Sequence, residues 1–277
     1  MEYGIFFKKH LGLIEREIRK LMKKCEGRPL SIHRAMQYAV FTGGKRFRPV
    51  LTLAVCEACG GRLKDAIPAA CAIELIHTYS LVHDDLPALD NDNERRGKPS
   101  CHKKFGEAAA ILAGDGLLTL AFQVLGGVKP FDRAARLVLE VSTAAGAGGM
   151  IGGQVEDIET AENKIDLAAH DFICAGKTGA LIRAGAVAGA ISAGASSKKI
   201  AMAGRYGALI GLAFQVVDDL LDGDGYCRFM PRDKAVKKAE RLIREAKKTA
   251  VKLGRECRGL GYLADFLGAR IPKNNRE

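Results

Sequence analysis

Apolar residues recur every three or four positions along nearly all of this 277-residue chain, and twice the pattern is broken by a cluster of aspartates. The first cluster is His83-Asp84-Asp85-Leu86-Pro87-Ala88-Leu89-Asp90, and the second is Phe214-Gln215-Val216-Val217-Asp218-Asp219-Leu220-Leu221-Asp222. Carboxylates among buried apolar groups are costly unless cations or hydrogen bonds offset them. Two such clusters far apart in sequence predict two acidic walls facing one pocket, with hard divalent cations between them.

The helical spacing predicts helices over Phe6–Lys23, Ser31–Thr42 (with Ser31 as the cap), Val50–Ala58, Asp65–Asp85, Ala108–Leu125, Phe131–Ala144, Lys164–Ala175, Thr178–Ala193, Lys198–Leu221 and Arg232–Leu253. No strand-like alternation persists, and no Pro/Ser-rich linker divides the chain. Low aromatic content (6%), no Trp, and abundant Ala and Gly suit close helix packing. The expected fold is all-α, one domain over residues 1–277. The Gly-rich stretch Ala145–Gly153 reads as either a loop or a tightly packed helix.

The net charge is +11, which favours anionic partners. No nucleic-acid-binding module accompanies it, so nucleic acid is not the expected partner. Among the eight cysteines, Cys56 and Cys59 form a CxxC with no second CxxC or spaced His pair, and both read as buried or half-buried free thiols rather than a zinc site. Met1-Glu2-Tyr3-Gly4 does not open a signal peptide, and no run of about 20 apolar residues predicts a membrane span. The expected location is cytoplasmic.

On a helix, Asp218 and Asp222 share one face and Asp219 lies on the next. No Lys or Arg neighbours them in sequence, and a bound cation would also relieve their unfavourable position at a helix C-terminus. Magnesium suits carboxylates completed by water and phosphate oxygens. The first cluster, DDxxxxD at a helix exit, is followed by Arg95-Arg96-Gly97-Lys98-Pro99, and guanidiniums bind phosphate oxygens in bidentate fashion. Gly43-Gly44-Lys45-Arg46-Phe47-Arg48-Pro49 offers close backbone approach and two cations, but it is not a P-loop. Lys177-Thr178 reads as a phosphate site at a helix start, or Thr178 as an N-cap.

Both aspartate motifs, GGKRxRP, RRGxP and the closing Ala264-Asp265-Phe266…Arg270 occur in the order found in one family, and the chain resembles the trans-isoprenyl diphosphate synthases over nearly its whole length. The resemblance implies a bundle of ten or more helices around a deep cavity, usually a homodimer. It implies that Lys45, Arg48 and His77, with Arg96, bind isopentenyl diphosphate. Asp84 and Asp90 would hold two magnesium ions with Asp85 in support, and Asp218 a third with Asp219 and Asp222 nearby. Arg95, Lys177, Thr178 and Gln215 would hold the allylic diphosphate. Alone, His77 would read as a core histidine; its place before Asp84 assigns it to the site.

The implied reaction ionises an allylic diphosphate and adds isopentenyl diphosphate, with the released diphosphate as the base. No Ser–His or Cys–His pair is required, and none is evident. Tyr79 lies five residues before Asp84, roughly 7–8 Å along the helix, where its ring, beside Ser80, would stop a growing chain. With the Pro87-Ala88 insertion, this resembles a bacterial-type farnesyl diphosphate synthase. A geranylgeranyl diphosphate synthase is the alternative.

One segment departs from the family. Relatives follow the second motif with GDxxxLGKxxGxD and a GK[ST] turn, whereas here Gly223–Pro231 leads directly into a basic helix. The lysine expected on the allylic diphosphate has no counterpart. This departure gives weight to a weakly active or inactive subunit of a heteromeric synthase, while DDLLD in place of an Asn/Ser/Glu triad disfavours a terpene cyclase.

Overall fold

The computed structural model describes residues 2–25, 27–160 and 165–272, with side chains from residue 4 onward. Among them are fourteen α-helices, one π-helical segment and a two-stranded hairpin. The all-α expectation holds.

The chain divides into two compact units, Met1–Val50 with Ile67–Val138 and Leu51–Ala66 with Leu139–Glu277. The first contains α1 (Glu2–Lys24), α2 (Leu30–Phe41), most of α4 (Leu63–Asp84), the hairpin β1 (Glu94–Arg95) and β2 (Lys98–Pro99), α5 (Cys101–Phe105) and α6 (Glu107–Gly126). Helix α3 (Phe47–Ala58) and helix α7 (Phe131–Ala145) contribute residues to both units, as does α4. Ile14 and Ile18 of α1, Ile73 and Ile76 of α4, and Leu117 and Leu125 of α6 are fully buried. Each such side chain contributes about 1.5–3 kcal/mol relative to remaining exposed.

Two sequence expectations change here. Helix α2 begins one residue before Ser31, with Pro29 at the N-cap position and no side-chain cap. The RRGKP segment is a hairpin, pairing Glu94 with Pro99 and Arg95 with Lys98. Its two-residue turn has positive φ at Arg96 (56°) and Gly97 (72°), the geometry whose twist matches paired strands. A solvent-open cleft of about 940 Å³ lies among α1, α2, α4 and α6, with Met36, Cys71, Leu120 and Val124 in its lining.

The second unit contains α8 (Met150–Thr160), α9 (Leu167–Ile173), the π-helix (Cys174–Gly179), α10 (Ala180–Ser192), α11 (Ser197–Asp222), α12 (Tyr226–Phe229), α13 (Arg232–Val251) and α14 (Arg258–Arg270). Helix α11 packs on α10 and α13, and Val216, Val217 and Leu220 are fully buried. The helix expected from Lys164 begins at Leu167, with the Asp166 side chain accepting from the Ala169 N–H at 2.8 Å. Lys164 itself lies outside the described residues. The Gly-rich stretch is a turn at 146–149 that leads into α8.

By length and composition, α6 and α11 would each pass for a membrane span, contrary to the absence read from sequence. Half of the apolar window in α11 is buried inside the protein, as in the core helix of a soluble fold.

Candidate active site

In the first unit, a basic loop sits on a buried anchor. Gly43 (φ 110°) and Gly44 (φ 136°) take conformations that L side chains rarely adopt. Arg46 is itself at φ 47° and fully enclosed. Its guanidinium donates to Glu74 Oε1 at 2.6 Å, to Glu15 Oε1 at 2.8 Å and to the Val40 carbonyl at 2.5 Å. Sequence reasoning passed over Arg46 because its partner Glu74 is a helix away. Lys45 is left exposed beside it.

Arg48 Nη1 lies 3.3 Å from His77 Nε2. A guanidinium only donates, so Nε2 accepts and the ring is neutral. Burial, followed by the nearby Arg48, Arg96, Arg46 and Arg95, holds the His77 pKa well below 6.5. Arg96 lies against Gly44, where any Cβ would overlap its guanidinium. Lys45, Arg48, His77 and Arg96 thus belong to one neighbourhood of one unit, with the chemistry of an anion cradle.

The acids of this unit divide by role. The Asp90 N–H donates to the Asp84 carbonyl at 2.9 Å, so the backbone of the DDLPALD turn closes on itself. Asp84 is half-buried and Asp90 exposed. Hard oxygens at the exit of a helix, held by a closed turn, fit magnesium. Asp85 is buried instead and accepts from Arg95 Nε at 2.8 Å, while Asp92 holds Arg95 Nη2 at 2.8 Å. Burial pushes the Asp85 pKa up, opposed by Arg95. Asp85 therefore aims Arg95.

Tyr79 is buried on α4, edge-on to His83 at 5.7 Å, and its hydroxyl has no hydrogen-bond partner among the described residues. Ser80 donates to the His77 carbonyl at 3.0 Å.

In the second unit, Asp218 accepts from Arg270 Nη2 at 2.7 Å, so the second cluster does have an arginine beside it. The sequence reading missed this pairing because α14 supplies the cation from 52 residues away. Asp222 is exposed at the end of α11. Asp219 is buried, and both its oxygens are engaged: Oδ1 accepts from Gln215 Nε2 at 2.7 Å and Oδ2 from the Tyr226 N–H at 2.9 Å. Gln215 is thereby turned toward Asp219.

Lys177 and Thr178 lie inside the π-helix, which runs from α9 into α10 with helical angles at both junctions. No helix starts there, so Thr178 is neither an N-cap nor part of a helix-terminus phosphate site. A π-helical turn inside an α-helix often marks a functional site. Lys177 Nζ pairs with Asp157 Oδ2 of α8 at 2.7 Å. The sequence reading also found no Cys–His pair, yet Cys174 Sγ lies 3.4 Å from His170 Nε2. Their i, i+4 spacing was the available signal.

The sequence profile of the polyprenyl synthetase family matches residues 30–252. The chain belongs to this family, that of the trans-isoprenyl diphosphate synthases. It is 43% identical over 268 residues to a dimethylallyltranstransferase of Fischerella ambigua, covering 88% of this chain and 77% of the other. It is 44% identical over 255 residues to the large subunit 1 of a chloroplastic heterodimeric geranylgeranyl pyrophosphate synthase of Arabidopsis thaliana, covering 86% and 69%. The apo crystal structure of an FPP/GFPP synthase from Zymomonas mobilis superposes with a TM-score of 0.90 at 33% identity, covering 96% of this chain and 98% of that one. A chain of this family, with this all-α isoprenoid synthase fold, carries both aspartate motifs on helix ends.

Proposed function

We propose that this polyprenyl synthetase is a short-chain prenyltransferase that joins isopentenyl diphosphate to dimethylallyl or geranyl diphosphate, with farnesyl diphosphate as its product. The closed Asp84–Asp90 turn beside the Asp85–Arg95 clamp carries the reading. Asp84 and Asp90 would hold two magnesium ions, and Asp218, with Asp222, a third. When bound, magnesium supplies Lewis-acid pull on diphosphate oxygens. Asp219 stands behind Asp218 as a positioning residue.

Arg95, Lys177 and Thr178 bind the allylic diphosphate, and Gln215 orients Asp219 beside it. The allylic C–O bond breaks as negative charge moves onto the diphosphate, which these cations stabilise. Lys45, Arg48, Arg96 and neutral His77 hold isopentenyl diphosphate, His77 as a hydrogen-bonding rather than a charged group. Its double bond attacks the allylic cation, and the proton then lost passes to the released diphosphate. Exclusion of water from the cation would have to come with substrate binding.

Along α4, Tyr79 lies between Asp84 and Cys71, which lines the 940 Å³ cleft eight residues, about 12 Å, from Tyr79. This arrangement supports Tyr79 as the chain-length gate, with Ser80 beside it. Tyr79→Ala is expected to shift the product from fifteen carbons toward twenty or more, read by reversed-phase chromatography of the dephosphorylated alcohols. An unchanged fifteen-carbon product would remove the gate assignment.

The cytoplasm suits a soluble fold with eight free cysteines. A homodimer is the proposed assembly, supported in the first unit by exposed Ile111 and Leu112 on α6. A second reading, a subunit of a heteromeric synthase, draws on the short Gly223–Pro231 connection and on the Arabidopsis large-subunit relative. Incubating the purified chain with magnesium, isopentenyl diphosphate and each allylic starter separates the two. Condensation by the chain alone supports the first reading, and condensation only on adding a partner chain supports the second.

A further inference from the structure

The proposed reaction uses Asp219 only to position Asp218 and leaves unused the largely buried His–Cys pair beside it in the second unit. His170 on α9 and Cys174 at the start of the π-helix lie one turn apart and face Asp219 of α11. His170 Nε2 is 3.4 Å from Cys174 Sγ and 3.2 Å from Asp219 Oδ2, and one ligand atom from each residue lies within 4.8 Å of the others. One ring nitrogen thus faces a carboxylate and a thiol together. Protonated, it serves the carboxylate and leaves the thiol without an acceptor there. Unprotonated, it accepts from the thiol and offers the carboxylate no donor.

A metal ion between the three groups removes this conflict. With metal–nitrogen and metal–oxygen bonds of about 2.0–2.1 Å and a metal–sulfur bond of about 2.3 Å, a tetrahedral centre sets its nitrogen and sulfur about 3.5 Å apart and its nitrogen and oxygen about 3.3 Å apart. The two observed distances match these edges closely.

The surroundings already hold the ligands in place. Gln215 and the Tyr226 N–H fix Asp219, and the rings of Tyr226 and Phe229 pack on His170 at 4.6 and 5.2 Å. Such outer contacts orient metal ligands and tune their affinity. Gly225, at φ 52°, lets the chain close over Asp219, since any Cβ there would overlap its carboxylate.

We propose that His170, Cys174 and Asp219 form a site for a zinc-class transition metal, separate from any magnesium site. Sulfur and imidazole ligands select zinc or cobalt over magnesium, which prefers oxygen. Three protein ligands leave a fourth position for water. Occupancy ties the π-helix that bears Lys177 to the helix that bears Asp218. The site does not depend on the diphosphate chemistry, and its test runs without substrate.

The full chain, stripped with EDTA, would be titrated with cobalt(II) in excess magnesium and followed by absorption. One cobalt per chain with a thiolate-to-cobalt charge-transfer band, displaced by zinc but not by magnesium, is the expected result. Cys174→Ser should abolish the band, and His170→Gln should weaken cobalt binding at least about tenfold. Cys227→Ser, whose sulfur lies 3.6 Å from the Asp219 carbonyl, should leave the band intact. The absence of a charge-transfer band in the wild-type chain overturns the proposal whatever the variants do. Persistence of the band in Cys174→Ser, or displacement of cobalt by magnesium, overturns it as well.

Discussion

Arg46 and Glu74 form the most deeply enclosed ion pair of the basic loop, with side chains 1% and 3% exposed. Removing one partner of a buried pair leaves an uncompensated charge and costs about 3–5 kcal/mol. Glu15 remains on Arg46, so Glu74→Gln is expected at the lower end, about 3 kcal/mol, in urea unfolding. A change below about 1 kcal/mol would show that the pair is not the anchor of the loop. His77 offers a test by pH. Its folded pKa lies well below the unfolded value of 6.5, so the unfolded chain takes up the proton first as pH falls. The stability tied to the neutral ring is complete above about 6.5 and is lost progressively below it. Unfolding free energy measured from pH 7.5 to 5 should therefore fall less steeply in His77→Gln than in wild type, by at most about 1.4 kcal/mol per pH unit. Parallel slopes would count against the neutral ring. The acids and cations of both motifs were legible as residue types. Which acid faces outward and which aims an arginine was not, because Asp84 and Asp85 are neighbours in sequence and differ only in what the fold places around them.

Among the elements, α8 and the π-helix make the closest approach relevant to the site. A Cβ on Gly153 would overlap the Lys177 backbone, and Gly176 faces Gly153 in return. This contact seats Lys177 beside Asp157. Gly153→Ala must push the two elements apart, an overpacking cost of about 1–3 kcal/mol. Its signature in steady-state kinetics is a fall in kcat/KM for the allylic substrate with little change in KM for isopentenyl diphosphate. Equal effects on both substrates would place the damage elsewhere. Helix periods predicted most of these elements within a few residues. The misses have local causes: Pro29 displaced the expected Ser31 cap, and a left-handed Arg96-Gly97 pair made a hairpin that no alternation announces. The π-helix was invisible because its six residues make little more than one turn, too few to reveal a changed period.

For the whole molecule, the charge of +11 is a property of the surface rather than of any one site. It draws anionic diphosphates toward the protein, and salt screens that attraction over about 10 Å at 0.1 M. Raising ionic strength from about 0.05 to 0.5 M at constant free magnesium should lower kcat/KM several-fold and leave kcat nearly unchanged. A salt-independent kcat/KM would mean that local cations alone capture the substrate. Family membership extends over residues 30–252, which include both aspartate motifs, the basic loop and the segment that departs from the family pattern.

By itself, the sequence determined an all-α chain with two carboxylate motifs, a set of arginines and lysines around them, and a family. Periodicity and local motifs carry that information because helix faces and turn chemistry are set by residues a few positions apart. Only the tertiary structure decided that Asp219 is turned inward onto Gln215 and Tyr226, that Arg270 reaches Asp218, that Arg46 is anchored by Glu74, and that His170 and Cys174 meet a carboxylate. Three of those six contacts join residues 28 to 52 positions apart in the chain. Their pairing follows from which helix faces the core buries together, and no local pattern encodes that choice.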